Sequence, residues 1–160
     1  MKTDTGPVQK ICRGHKNAPT RMMDILRDVQ REFGCVDDAA IDEVAKEVGV
    51  PRVEVESTVS FYAFLSKEPK GKFVIRLCND IIDRMNGADI VAKAFESELG
   101  ISVGETTSDG MFTLEYTPCI GMSDQAPAAL VNDEIITYLS TDKAREIVRT
   151  LKQQGDVKKL

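Results

Sequence analysis

Hydrophobic and polar positions follow a helical pattern in the first part of the chain. Between Thr20 and Ser66, apolar residues recur at intervals of three and four, which places them on one face of a helix. Gly34, Gly49 and Pro51 stand at the expected boundaries between the first three helices. We therefore predict a bundle of three or four helices in this part. The positions that carry this prediction are Met22, Leu26, Val29, Phe33 and Gly34 in the first helix, Asp37 or Asp38, Ile41, Val44, Ala45, Val48 and Gly49 in the second, and Pro51 at the start of the third.

The fourth predicted helix, STVSFYAFL, is rich in aromatic residues. Aromatic side chains bury a large apolar area, so we expect most of Phe61, Tyr62 and Phe64 to pack in the core. We expect the remaining one or two to face a partner protein.

The pattern changes at Pro69 and Gly71, which mark a boundary between two parts of the chain. Beyond them, KFVIRLC is rich in β-branched and apolar residues and predicts a strand, and MFTLEYT predicts another through its alternating apolar positions. A helix is expected between these strands, over 88–99, because its apolar residues share one face and a glycine follows it.

The remaining residues predict a hairpin and a last helix. Asn132 and Asp133 are typical of a tight turn between two short strands. Thr141 can cap a helix whose apolar face includes Ile147 and Leu151. The second part is therefore β-α-β-β-β-α, and the predicted fold class is α+β, a helical bundle followed by an α/β domain. The predicted boundaries are 1–19 for a loose leader, 20–70 for the bundle, 71–153 for the α/β domain and 154–160 for a tail.

Composition and charge argue against two classes of function. The 160 residues carry a net charge of −5 and their basic residues are scattered, so a nucleic-acid partner is not expected. The longest apolar stretch, Phe61 to Leu65, is far too short to span a bilayer. The first residues are polar and lack the apolar region of a secretory signal, so we expect a cytoplasmic protein.

Four cysteines, Cys12, Cys35, Cys78 and Cys119, are the first candidates for chemistry. Cytoplasmic cysteines rarely form structural disulfides, and the chain has no C-x-x-C pair of the kind that dithiol enzymes use. The one histidine, His15, lies near Cys12, but a zinc site there needs two further ligands. We expect a loose leader at this place instead, and the sequence assigns no role to Cys12, Cys35 or His15.

Several motifs, in their order along the chain, resemble those of one protein family. The order is a helical lead, a strand that ends in cysteine, a helix, a strand and a second cysteine loop before a hairpin. From about Thr20 to Leu151 the chain resembles the thioredoxin-like [2Fe-2S] ferredoxin subunits of NADH dehydrogenases, of NAD-linked and electron-bifurcating hydrogenases, and of NAD-dependent formate dehydrogenases. The motifs that carry the resemblance are ILRDVQREFG, VPRVEVESTVSFYAFL, EPKGKFVIRLC, ELGISVGETTSDGMFTLEYTPCIGM and DQAPAALVN.

The resemblance implies a thioredoxin-like ferredoxin domain over 71–153 with a [2Fe-2S] site. The family pattern has two cysteine pairs, spaced C-x4-C and C-x3-C, which supply two ligands to each iron. Carried onto this sequence, the four cofactor-binding positions fall on Cys78, Asp83, Cys119 and Ser123, so an oxygen-bearing residue replaces one thiolate of each pair. We expect all four to converge at one point, with Cys78 and Cys119 as metal ligands if a cluster is present.

The resemblance also implies partners. Family members dock on a flavoprotein subunit that binds FMN and NAD(H), alongside further iron–sulfur or catalytic subunits, and their cluster lies off the main electron route. We therefore expect a non-catalytic subunit of an NAD(H)-linked oxidoreductase, with FMN and NAD(H) bound by the partner and not by this chain.

Three interpretations of the altered site stay open. In the first, the domain keeps its fold and docking role without a cluster, and Cys78 and Cys119 are free thiols in a pocket lined by Ile81 or Ile82. In the second, a cluster persists with mixed cysteine, aspartate and serine ligation, although oxygen ligands suit an iron–sulfur cluster less well than thiolates. In the third, one cysteine is a reactive thiol, but the second part has no histidine to activate it. We favour the first.

Overall fold

The computed structural model describes residues 3–155 and 157. It divides into two compact units, Met1–Pro69 and Lys70–Leu160. The first unit is built of helices, and the second combines helices with a four-stranded sheet, which confirms the predicted fold class. Among the described residues, no helix has the length and apolar character needed to cross a membrane.

The helices of the first unit are α1 (Thr5–Gly14), α2 (Met22–Phe33), α3 (Asp38–Val48) and α4 (Arg52–Phe61). The first two predicted helices are confirmed as α2 and α3. α2 ends at Gly34, whose φ of 80° lies in the left-handed region that favours glycine. α3 begins after Asp37, whose carboxylate accepts a hydrogen bond from the Ala40 N–H at 2.9 Å. Apolar faces of these helices form one buried core.

The prediction of a loose leader over 1–19 is wrong, because most of this segment forms α1. Asp4 caps the helix with its side chain. Val8 and Cys12 lie four positions apart on one face, and both are fully buried in the core of the first unit. The polar composition of the segment hides this short apolar stripe. The first two residues of the chain lie outside the described part.

The third and fourth predicted helices are in fact one helix, α4, which ends at Phe61. No glycine or proline interrupts it after Arg52, and Tyr62 then takes an extended backbone. The aromatic side chains that we predicted mostly in the core are instead 79% exposed at Phe61, 39% at Tyr62 and 41% at Phe64. The rings of Phe61 and Tyr62 pack edge to face against each other, with 5.0 Å between centroids. Val55 and Val59 form the buried face of α4, whereas Phe61 is its last residue and Tyr62 and Phe64 follow its end.

The elements of the second unit are β1 (Phe73–Cys78), α5 (Ile81–Met85), α6 (Ala88–Leu99), β2 (Phe112–Thr117), β3 (Ala129–Val131), β4 (Glu134–Ile136) and α7 (Thr141–Gln154). They form a mixed sheet with the strand order β2-β1-β3-β4. β1 and β2 are parallel, whereas the other neighbours are antiparallel. A parallel pair needs a crossover connection, which α5 and α6 supply. α6 and α7 pack against each other.

A close approach between two segments fixes the start of β1. A Cβ atom on Gly71 would lie 2.6 Å from the backbone carbon of Phe112, so a side chain fits there only if the backbone shifts. The Gly71 N–H donates to Thr113 Oγ1 at 2.7 Å. Gly71 therefore lets the chain enter the sheet directly against β2.

A charged group joins the same two strands. Arg76 and Glu115 are register partners in β1 and β2. Their side chains are 15% and 17% exposed, and Arg76 Nε lies 2.7 Å from Glu115 Oε1. Lys70 Nζ lies 2.5 Å from the other carboxylate oxygen. The Glu115 carboxylate thus forms ion pairs with both Arg76 and Lys70 at a largely buried position.

Three details of the second unit differ from the prediction. The residues after Cys78, predicted as a loop, contain the helix α5, which Asp80 caps. The last helix is capped by the Ser140 side chain, one residue before the predicted Thr141. α7 also extends into the tail predicted for 154–160, most of which lies outside the described residues.

Candidate functional site

The two cysteine loops leave the sheet side by side. β1 and β2 are parallel, and Cys78 is the register partner of Thr117, so both strands end at the same edge of the sheet. Cys119 follows two residues after Thr117. The topology of the sheet therefore brings the two pairs of predicted ligand positions to one edge.

Cys78 is a buried thiol beneath the second loop. It is 1% exposed, and its Sγ donates to the carbonyl oxygen of Pro118 at 3.8 Å. Burial raises the pKa of Cys78, while a hydrogen bond from the Ile120 N–H lowers it by less. The protonated thiol is therefore the stable form of Cys78 at neutral pH.

Asp83 lies in α5, and its carboxylate is directed into the protein. It is 1% exposed, and Oδ1 accepts a hydrogen bond from the Ala128 N–H at 2.9 Å. Burial is the main cause that raises the pKa of Asp83; the Ala128 N–H opposes this, and Asp80 adds to it. The described contact of Asp83 is thus with the backbone before β3.

Asp80 is a member of the site that the sequence alone did not reveal. Its Oδ1 accepts hydrogen bonds from the N–H groups of Ile82 at 2.9 Å and Asp83 at 3.0 Å. The Asp83 N–H, followed by the Cys119 side chain, lowers the pKa of Asp80. The stretch DIID carried a usable signal, because an aspartate followed three residues later by an acidic residue is typical of a helix N-terminus.

Cys119 and Ser123 are in direct contact in the second loop. Their Sγ and Oγ atoms are 3.1 Å apart, and the Gly121 N–H donates to Cys119 Sγ at 3.3 Å. Gly121 has a φ of 85°, a left-handed conformation that turns its amide toward the sulfur at little steric cost. Unlike Cys78, Cys119 is exposed.

Both residues predicted to line a pocket around the two cysteines are exposed to solvent. Ile81 is 72% exposed and Ile82 is 39% exposed. Because α5 presents Ile81 and Met85 on its outer face, these side chains lie at the surface and not over the thiols. None of the four cysteines forms a disulfide.

In the described arrangement, the side chains at all four positions make contacts with other protein atoms. A [2Fe-2S] cluster takes four deprotonated ligands, two for each iron. Here Cys78 donates to a carbonyl, Asp83 accepts from a buried amide, and Cys119 and Ser123 contact each other. Among the described residues, no group of three or more histidine, cysteine or acidic side chains is placed to hold a metal ion.

The other candidates lie in the first unit and belong to its structure. Cys12 is fully buried, and burial, with Glu47 next in effect, raises its pKa to about 11. His15 Nε2 lies 2.8 Å from Asp28 Oδ2, in a pair that joins the end of α1 to α2. Cys35 is also buried. Cys12 and His15 thus have structural contacts within the first unit.

The sequence matches known proteins along most of its length. Residues 8–152 match the family model described as thioredoxin-like [2Fe-2S] ferredoxin. The chain is 40% identical over 146 residues to the alpha subunit of the NAD-reducing hydrogenase HoxS of Cupriavidus necator, a match that covers 91% of this chain and 24% of that subunit. It is 33% identical over 130 residues to a subunit of the NADH-quinone oxidoreductase of Escherichia coli K12, covering 81% of this chain and 78% of that subunit.

The fold is also found in a solved structure. A crystal structure of NAD+-reducing [NiFe]-hydrogenase in the air-oxidized state matches with a TM-score of 0.72 and 25% identity, covering 83% of this chain and 23% of that chain. This chain therefore spans about a quarter of the hydrogenase alpha subunit, at 24%, but most of the Escherichia coli oxidoreductase subunit, at 78%. By its match to the family model over residues 8–152, the chain belongs to the thioredoxin-like [2Fe-2S] ferredoxin family.

Proposed function

We propose that this chain is a non-catalytic subunit of a multi-subunit NAD(H)-linked oxidoreductase. One observation carries the proposal: a similar chain makes up 78% of a separate subunit of NADH-quinone oxidoreductase and 24% of a longer subunit of NAD-reducing hydrogenase. A domain that occurs both alone and within a longer chain of enzymes with NAD(H) in their names is suited to work against the rest of such an assembly. We assign the catalytic step to those other subunits.

The partner that we propose is the flavoprotein subunit that binds FMN and NAD(H), together with further iron–sulfur or catalytic subunits. The family resemblance supports this choice, since its members dock on such a subunit. A role as a thiol redox enzyme has little support, because burial raises the pKa of Cys78 and the chain has no C-x-x-C pair. We place the assembly in the cytoplasm, where four free cysteines stay reduced.

We infer further that the chain carries out this role without a [2Fe-2S] cluster. The contacts at the four family ligand positions support this, because each of the four side chains already has a protein partner. A cluster that lies off the main electron route, as the resemblance implies, can be lost while electrons still pass from flavin to the downstream clusters. The subunit then contributes a docking surface and stability.

A second candidate is an electron carrier with a mixed-ligand [2Fe-2S] cluster. It is favoured by one observation, the convergence of Cys119 Sγ and Ser123 Oγ to 3.1 Å beneath the Gly121 amide. This candidate requires Asp83 to turn a carboxylate oxygen toward the iron and Ser123 to lose its proton.

The two candidates are separated by purifying the complex from its own cells through a tag on this chain. We expect a copurified subunit that contains FMN and oxidises NADH, and no NADH oxidation by the chain alone. A Cys78→Ser and Cys119→Ser double variant serves as the matched control, since it removes both remaining thiolates. If the cluster is absent, this variant leaves the iron, sulfide and EPR signals of the complex unchanged. A loss of two iron atoms per chain would instead establish the mixed-ligand carrier, and NADH oxidation by the isolated chain would refute the subunit role.

A further inference from the structure

The contacts of Asp83 suggest what this ligand position does in the absence of metal. Its carboxylate Oδ1 accepts the Ala128 N–H at 2.9 Å, and both groups are buried. The two residues are 45 positions apart in the sequence. A buried backbone N–H needs an acceptor, and at this place Asp83 provides it.

Ala128 is held on its other side as well. Its carbonyl oxygen accepts a hydrogen bond from the Cys78 N–H at 3.0 Å. The next residue, Ala129, is the register partner of Leu77 and begins β3. Ala128 therefore occupies the point at which the chain returns from the second loop into the sheet, between the last residue of β1 and the side chain of Asp83.

The position of Asp83 is itself fixed. Asp80 caps α5 and accepts the Asp83 N–H at 3.0 Å, so the carboxylate of Asp83 extends from a short helix whose first turn is closed. Aspartate suits this contact for a chemical reason: a carboxylate oxygen is a strong acceptor, whereas the sulfur of a cysteine at the same place is a weak one.

We propose that Asp83 is an internal anchor which closes this end of the domain without metal, by fastening α5 to the segment that leads into β3. In the family pattern this position supplies a cluster ligand, which would join the same loops through iron. The anchor replaces that cross-link with one buried hydrogen bond. The inference rests on the proposed loss of the cluster.

The test compares three variants of the full chain in the presence of a chelator. Asp83→Asn keeps a side-chain oxygen that can accept the Ala128 N–H, so we expect its Tm to stay within about 2 °C of wild type. Asp83→Ala leaves the Ala128 N–H without its acceptor and is expected to lower the Tm by about 3 to 10 °C. Asp124→Ala removes an exposed carboxylate from the second loop and is the control, with no expected change.

Hydrogen exchange of the Ala128 amide is measured on the same samples, and iron content is measured on each protein before the chelator is added. We expect the exchange of this amide to accelerate by at least about tenfold in Asp83→Ala and to stay slow in Asp83→Asn. An iron-free chain whose Asp83→Ala variant matches wild type in Tm and exchange overturns the anchor alone, as does an Asp83→Asn variant as unstable as Asp83→Ala. If Asp83→Ala does not fold while Asp83→Asn does, the anchor is supported. Two iron atoms per chain in wild type overturn the proposed cluster loss and, with it, the anchor.

Discussion

Cys78 and Thr117 are register partners at the ends of two parallel strands. The residue that ends β1 therefore lies beside the residue that stands two positions before Cys119. Backbone hydrogen bonds of the sheet hold this arrangement, so the two cysteine loops stay adjacent whichever side chains they carry. The adjacency of the two loops therefore does not depend on the side chains at the proposed ligand positions.

This adjacency predicts that two substitutions restore a cluster. In the double variant Asp83→Cys and Ser123→Cys, anaerobic incubation with iron and sulfide should yield about two iron atoms per chain, because four thiolates then meet at one edge of the sheet. The measurement is iron and acid-labile sulfide per chain, with the EPR spectrum of the reduced protein. Wild type treated in the same way should stay without the signal.

The single variants and a triple variant are the controls for this restoration. Neither Asp83→Cys nor Ser123→Cys alone supplies four thiolates, and adding Cys119→Ser to the double variant should abolish the signal. A double variant that binds no iron would show that these residues are not the family ligand positions.

The four cysteines should differ in reactivity because their surroundings differ. Cys119 is exposed, whereas Cys12 is fully buried with a pKa of about 11 in place of 9.0. The thiolate is the reactive form, so at pH 8 Cys12 has about 100-fold less of it than an ordinary thiol. The rate at Cys12 should rise with pH until about 11. Alkylation followed by mass spectrometry of the peptides measures both rates.

In this experiment Cys119→Ser is the control, since it should remove the fastest phase and leave the others unchanged. Labelling of Cys12 as fast as that of Cys119 in the native protein would contradict the burial of α1.

The confirmed elements are those whose signals are local. In α2 and α3 the apolar residues form a continuous face along the whole helix, and a glycine follows the last turn. Periodicity and caps were therefore enough to predict both helices. α1 was missed because only Val8 and Cys12 of its ten residues are buried. The sequence did not predict α5, because five residues are too few to show a helical period. Asp80 at its N-terminus could nevertheless have been recognised as a helix cap.

The candidate site also has a part that the sequence predicted and a part that only the structure reveals. The family motifs placed four positions along the sequence, and the parallel strands explain why the two loops meet. The partner of Asp83 could not be predicted, because it is a backbone amide 45 residues away, and a backbone N–H has no sequence signature. Only the folded chain identifies Ala128.

The close approach of Gly71 to β2 predicts that a side chain at this position lowers the stability of the second unit. In Gly71→Ala the new Cβ would lie 2.6 Å from a backbone atom of Phe112, which cannot rotate away. We expect the free energy of unfolding to fall by about 1 to 3 kcal/mol, as for other overpacked sites. Denaturant unfolding followed by circular dichroism measures the change.

Gly14→Ala is the matched control, because nothing lies within 4 Å of a Cβ atom built there. It sits in α1, where alanine should be neutral or stabilise by up to about 1 kcal/mol. Equal stabilities of the two alanine variants would contradict the close approach at Gly71.

The largely buried ion pairs of Glu115 should contribute more to stability than an exposed ion pair elsewhere in the chain. Glu115→Gln leaves Arg76 and Lys70 without a carboxylate at a position where Glu115 is 17% exposed, so we expect a loss of about 1 to 3 kcal/mol in stability. Asp42 pairs with Arg52 but is 63% exposed, so Asp42→Asn should cost less than about 1 kcal/mol. Urea unfolding of both variants checks this, and a larger loss for Asp42→Asn would refute it.

The amides of Ile120 and Gly121 donate to the sulfurs of Cys78 and Cys119. These donors belong to the main chain, and the left-handed turn at Gly121 sets the direction of one of them. Substitution of a ligand side chain leaves them in place. On the proposed loss of the cluster, converging amides around one or two remaining cysteines mark a vestigial iron–sulfur centre, also in chains whose cysteine spacing does not reveal it.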